Sequence, residues 1–125
     1  MDNTKLNMKD RVDHEIIDEL IFLNKKKENF LNKQIKLFLE NTDDLIKKIQ
    51  NSLLSNNRNE ISNFAHSLKG ASASMGAINL AKLCQCMEIV SEKNTDQEIN
   101  LILKDIITER DSFVLYLKLF EKEQN

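Results

Sequence analysis

His66, Lys69 and Gly70 stand at positions i, i+3 and i+4 of the stretch Ala65-His66-Ser67-Leu68-Lys69-Gly70-Ala71-Ser72-Ala73-Ser74-Met75-Gly76-Ala77. On an α-helix those spacings make surface neighbours, and Ala73 continues the same face one turn later. With Leu68 at the centre of an apolar stripe, a step of roughly 100° per residue turns His66 about 160° away from it, toward water. The grouping presents an imidazole, a cation and nearly bare backbone to solvent. A neutral imidazole is a competent nucleophile near neutrality, its unperturbed pKa being about 6.5. A lone histidine is more often a satisfied core or incidental surface residue, and it is the neighbours of His66 that point to chemistry.

Gly70 lies in the middle of an otherwise good helix, where glycine costs about 1 kcal/mol relative to alanine. Close helix packing would explain it on the apolar stripe, but Gly70 points away from that stripe, which favours room beside His66 for another protein. Lys69 alone would be an ordinary solvated lysine. Beside a histidine that becomes phosphorylated, its ammonium would offset the roughly two negative charges a phosphoryl group brings. For Nε2 to attack, a partner on Nδ1–H should fix the tautomer, and a carboxylate on a facing helix would do so. Glu88 is the candidate, on the flank of its helix next to the inward Met87; the competing reading is a solvated glutamate.

The chain that must position these groups has 125 residues, the size of one ordinary domain. A single domain over residues 1–125 is expected, with an ordered core over about 12–121. Hydrophobic residues make up 41% and charged residues 30%, which suffices for a core and argues against disorder. Proline is absent and the only glycines are Gly70 and Gly76, so the composition reads all-helical. The net charge of -2, with lysines spread along the chain, offers no footprint for a nucleic-acid backbone. The start lacks an apolar leader and no stretch approaches the roughly 18 apolar residues of a membrane span. No membrane association and a cytoplasmic location are therefore expected, with the nucleus added in a eukaryote. Met1 and the polar tails favour a free-standing protein. Cys84 and Cys86 would point roughly 200° apart on a helix and cannot bridge each other.

Apolar residues recur at helical spacing in five stretches. Val12, Ile16, Ile17, Leu20 and Leu23 mark a short first helix near 12–24, with Asp10 or Asp13 available as its cap. Leu31, Ile35, Phe38, Leu45, Ile49 and Leu53 mark a long one from about 28 to 54, interrupted only at Asn41-Thr42. Ile61, Ala65, Leu68, Ser72 and Met75 follow, ended by Gly76. Leu80, Leu83, Cys84, Met87 and Val90 make the fourth, closed by Ser91 to Thr95. Ile99, Ile102, Leu103, Ile106, Phe113, Leu117 and Phe120 line the fifth, from about 96 to 121. Short connections favour antiparallel neighbours, so the expected fold is an all-α, up-down four-helix bundle with one additional short N-terminal helix lying across the bundle's end.

His66-Ser67-Leu68-Lys69-Gly70, Gly76-Ala77, Leu80 and Cys84 together closely resemble the signature of the histidine-containing phosphotransfer (HPt) domain. Asp13-His14-Glu15-Ile16-Ile17 and Phe38-Leu39-Glu40 look like the flanking helices of such domains. The resemblance implies a phosphorelay intermediate that accepts a phosphoryl group on His66 from a receiver-domain aspartate and passes it reversibly to another. It implies a lysine near that group at Lys69 and a docking surface at Gly70 and nearby small residues such as Ala73. Glu88 falls where relatives carry glutamine or glutamate hydrogen-bonded to the histidine. Where some relatives have serine, this chain has Ala71, which puts any hydroxyl contact there in doubt. The implied partners are receiver domains and a hybrid sensor histidine kinase. The receiver supplies the aspartate and Mg²⁺, and the chain itself needs no cofactor or metal. It would act as a monomeric carrier without autokinase activity, not as an enzyme.

Three rival readings bear comparison. A sensor-kinase dimerisation domain usually has an acidic residue after its histidine and a nucleotide-binding domain downstream, whereas Ser67 follows here and no Gly-rich nucleotide loop exists. Zinc binding by His14, His66, Cys84 and Cys86 lacks any ligand-pair spacing, and Cys84 reads as a small core residue. A helical interaction module without chemistry, using the same face, is the serious alternative.

Overall fold

A computed structural model describes residues 3–124, and these fold into six helices: α1 (Thr4–Met8), α2 (His14–Lys26), α3 (Phe30–Leu54), α4 (Arg58–Ser74), α5 (Ile78–Val90) and α6 (Asp96–Gln124). Helices α3 to α6 form the bundle. Each packs on its sequence neighbour, and α3 also packs on α6, which closes the ring. Connections of three residues between α3 and α4 and between α4 and α5, and of five between α5 and α6, oblige consecutive helices to reverse direction.

The apolar stripes meet as the spacing predicts. Leu31, Ile35 and Ile49 of α3, Ile61, Ala65 and Leu68 of α4, Leu80, Cys84 and Met87 of α5, and Ile99, Ile106, Phe113 and Leu117 of α6 are all buried. Phe113 meets Phe38 edge-on at 5.8 Å between centroids, an arrangement that suits the ring quadrupoles. The polar break at Asn41-Thr42 does not disturb α3: Thr42 is buried and its hydroxyl donates to the Phe38 carbonyl at 2.8 Å, so the side chain satisfies itself within its own helix.

The ends are set by local chemistry. Asp13, of the two candidates, caps α2 by accepting from the Glu15 and Ile16 amides. Asn57 caps α4 through the Glu60 amide, and the Thr95 hydroxyl accepts from the Glu98 amide at the start of α6. Helix α4 ends in a Schellman motif: the Ala77 amide donates to the Ser72 carbonyl at 2.9 Å and the Gly76 amide to the Ala73 carbonyl at 3.0 Å, with Gly76 at φ +84°. That turn is the anchor for the N-terminal segment. Asp13 donates its amide to the Gly76 carbonyl, Asn79 donates its amide to the Arg11 carbonyl, and Ile16 packs so close that a Cβ on Gly76 would lie 3.2 Å from it. Helix α2 then runs against α3 and α6.

Two features depart from the sequence reading. A further helix, α1, precedes α2 and packs on α6, burying Met8. And α6 buries charge between Ile106 and Phe113: Glu109 and Arg110 are both under a tenth exposed. Arg11 grips both carboxylate oxygens of Glu109, Nε at 3.0 Å from Oε2, while Arg110 pairs with Asp43, with Asp111 and with the Thr42 hydroxyl at 3.3 Å.

Candidate functional site

His66 lies midway along α4 with its side chain 67% exposed, on the face opposite Leu68. The neighbouring helix, α5, places Glu88 with one carboxylate oxygen for each of two partners. Oε1 is 3.0 Å from His66 Nδ1, and Oε2 is 3.0 Å from Lys69 Nζ. A carboxylate can only accept, so this contact puts the ring proton on Nδ1 and leaves Nε2 with its lone pair and no partner among the described residues. The residues proposed from sequence for the nucleophile, the ammonium and the tautomer-fixing carboxylate are thus brought together, in an order not foreseen: Lys69 pairs with Glu88.

Glu88 is itself braced. Its main-chain carbonyl accepts from the Ser62 hydroxyl of α4 and from the Ser91 hydroxyl, each at 3.2 Å. Ser62 precedes His66 by one turn and stitches α4 to α5 beside the site; its spacing from His66 was the only hint of this in the sequence. The Lys69 ammonium, above all, holds the Glu88 carboxyl below the usual carboxylate range; burial opposes it and the His66 contact assists. On the inner side, burial pushes the Cys84 thiol up to about 12, so it is a packed, protonated group, while Cys86 faces outward. Among the described residues no three His, Cys, Asp or Glu side chains converge where a metal ion could be held.

Beside the triad runs an open groove of about 470 Å³ between α4 and α5, floored by Gly70, Ala73, Ile78 and Ala81 and rimmed by Lys69, Lys82, Gln85 and Asp13. A Cβ built on Gly70 meets nothing within 4 Å. Packing inside this chain therefore does not require the glycine, and the space it leaves opens toward solvent next to His66. Ala73, also exposed, extends the low floor.

An all-helical bundle that displays an exposed histidine, hydrogen-bonded at Nδ1 from a neighbouring helix, defines a histidine-presenting domain. The Hpt domain profile matches residues 34–112, and the chain belongs to the Hpt domain family. It is similar to the phosphorelay intermediate protein YPD1 of Candida albicans, with 27% identity over 111 residues, 88% of this chain and 59% of that protein. The chain thus spans about three fifths of the length of this curated relative. Among solved structures, a putative histidine-containing phosphotransfer protein from rice superposes with a TM-score of 0.75 at 22% identity, over 98% of this chain and 93% of that one. Histidine-containing phosphotransfer protein B of Pseudomonas aeruginosa does so with a TM-score of 0.70 at 21% identity, over 91% and 94%. These two likenesses establish the shared fold. No helix among the described residues is long and apolar enough to cross a membrane.

Proposed function

We propose that this chain is a phosphorelay carrier, taking a phosphoryl group onto His66 from one receiver aspartate and yielding it to another. The observation that supports this most directly is the exposed His66 ring held by Glu88 at Nδ1, with Nε2 free, in a chain of the Hpt domain family.

In the loading step the Nε2 lone pair attacks phosphorus in line, the N–P bond forms, and the P–O bond to the receiver aspartate breaks with its electron pair returning to the carboxylate. The Nδ1 proton stays on the ring, hydrogen-bonded to Glu88, so the charge that develops on the imidazole has a carboxylate against it. Lys69 is within reach of the transferred group as a flexible point charge. Positioning and charge neutralisation supply the catalysis, and the reverse sequence discharges the carrier. Mg²⁺ and the aspartate belong to the receiver; this chain contributes no cofactor. The receiver seats over the groove floored by Gly70 and Ala73, where the missing side chains let its active-site loops approach His66. The partners are receiver domains and a hybrid sensor kinase, and the carrier works as a cytoplasmic monomer with no autokinase activity.

The test is transfer from a radiolabelled phospho-receiver to wild type and His66→Gln, followed by acid and alkali challenge. An acid-labile, alkali-stable label that requires His66 is expected. A variant that binds receivers and signals as well as wild type without His66 would replace this reading with that of a helical adaptor.

A further inference from the structure

Glu88 has two oxygens and two partners, and phosphorylation of His66 sets those partners against each other. Before loading, Oε1 holds the Nδ1 proton and Oε2 holds the Lys69 ammonium, each at 3.0 Å. After loading, a phosphoryl dianion on the same ring competes for that ammonium, while the carboxylate contributes a like charge nearby. Resting on the carrier reading, we infer that Glu88 is a positioning residue that tunes His66 for rapid discharge: its carboxylate keeps Lys69 partly withheld from the phosphoryl group and keeps the phosphorylated ring protonated at Nδ1.

Both effects act in one direction. When the ring retains its Nδ1 proton, breaking the N–P bond returns the electron pair to Nε2 and releases a neutral imidazole. Without that proton the departing group would be an imidazolate, a far poorer leaving group. The withheld ammonium leaves the phosphoryl charge less neutralised and so less firmly held. The Ser62 and Ser91 hydroxyls on the Glu88 carbonyl fix the backbone from which the carboxylate reaches its two partners, so the start of its side chain stays beside His66 when the phosphoryl group arrives. Glutamine at this position keeps the shape and one acceptor oxygen but neither the charge nor the claim on Lys69.

The experiment loads the full chain with phosphoramidate, whose N–P bond breaks with release of ammonia as the Nε2–P bond forms. Wild type, Glu88→Gln, Lys69→Met and the double variant are loaded, His66→Gln defines background labelling, and excess donor is removed. The half-life of the label without any receiver should lengthen by about threefold to tenfold in Glu88→Gln, as expected for removing one charge at this range in a partly exposed site. The gain should shrink in the Lys69→Met background, where no ammonium is released. In ¹⁵N spectra of the phosphorylated ring, slightly above neutral pH, Nδ1 should remain protonated in wild type and lose its proton in Glu88→Gln. A merely structural role for Glu88 would leave that signature unmoved. An unchanged or shorter half-life in a folded, labelled Glu88→Gln overturns the inference and leaves the carrier reading standing. Absence of any His66-dependent label in wild type overturns the carrier reading itself, and the inference with it.

Discussion

Two charge clusters in this molecule are built on opposite terms. The one joining α4 to α5 is open: His66 is mostly exposed, and a single carboxylate is divided between an imidazole and an ammonium. The one along α6 is closed: Arg11 spends its fork on both oxygens of the buried Glu109, and Arg110, only 10% exposed at its side chain, is committed to α3 through Asp43 and Thr42. The difference teaches where this fold tolerates charge. Closed pairs fix how the N-terminal segment and α3 sit against α6, whereas the open triad can exchange partners without costing the bundle its shape.

The largest test of that contrast is on the closed side. Arg11→Ala leaves the Glu109 carboxylate buried without its partner, and should cost about 3 kcal/mol of unfolding free energy in urea titration. Glu109→Gln, which leaves only the half-exposed Arg11 short of a charge, should cost clearly less. Equal and small losses in both would mean that water reaches Glu109 and that the α6 cluster is no more closed than the His66 one.

The two glycines sharpen the same contrast at smaller scale. Gly76 is structural: its φ of +84° disfavours any side chain, and a Cβ would lie 3.2 Å from Ile16, so Gly76→Ala should lower stability by about 2 kcal/mol. Gly70 is the reverse. With nothing within 4 Å of its Cβ and an ordinary helical backbone, Gly70→Ala should raise stability by up to about 1 kcal/mol while slowing phosphotransfer from a receiver. Thermal denaturation paired with a transfer assay reads both signs; a destabilised Gly70→Ala would return that glycine to a packing role.

Most of this was legible in the sequence because bundles announce themselves through periodicity. The buried residues of α4 and α5 fall on the predicted stripes, as do Leu31, Ile35, Phe38, Leu45 and Ile49 of α3, where Thr42, Ile46 and Ser52 are buried as well and Leu53 only in part; the 100° step that faced Leu68 inward faced His66 outward. What escaped reading has physical reasons. Helix α1 is one turn and a fraction, too short for a period to show, and its packing rests on Met8. Glu109 and Arg110 were invisible because a charged residue on a helix reads as solvated unless its partner is known, and Arg11 and Asp43 are remote in sequence. The Lys69–Glu88 pair escaped for the same cause: periodicity places each residue on a flank but does not say which of two neighbours a carboxylate will take.

The smallest expected effect belongs to the open cluster and follows from the depressed Glu88 carboxyl. A carboxyl held lower in the folded chain than in the unfolded one adds stability in full above its unfolded value, and that addition is lost as pH falls through the folded value. The margin by which wild type exceeds Glu88→Gln in melting temperature should therefore be steady from neutrality down to the ordinary carboxylate range, then close as the solution becomes more acid. It should be small throughout, because Glu88 and Lys69 remain partly in water and solvent screens the pair. A large margin would place the triad with the closed cluster and make it a structural pair. A margin that widened on acidification would mean that the carboxyl is raised, contrary to a neighbouring ammonium at 3.0 Å. A small margin closing in acid is what the carrier reading requires of this carboxylate, because on that reading its pairing with Lys69 is weak enough to be shared with an incoming phosphoryl group.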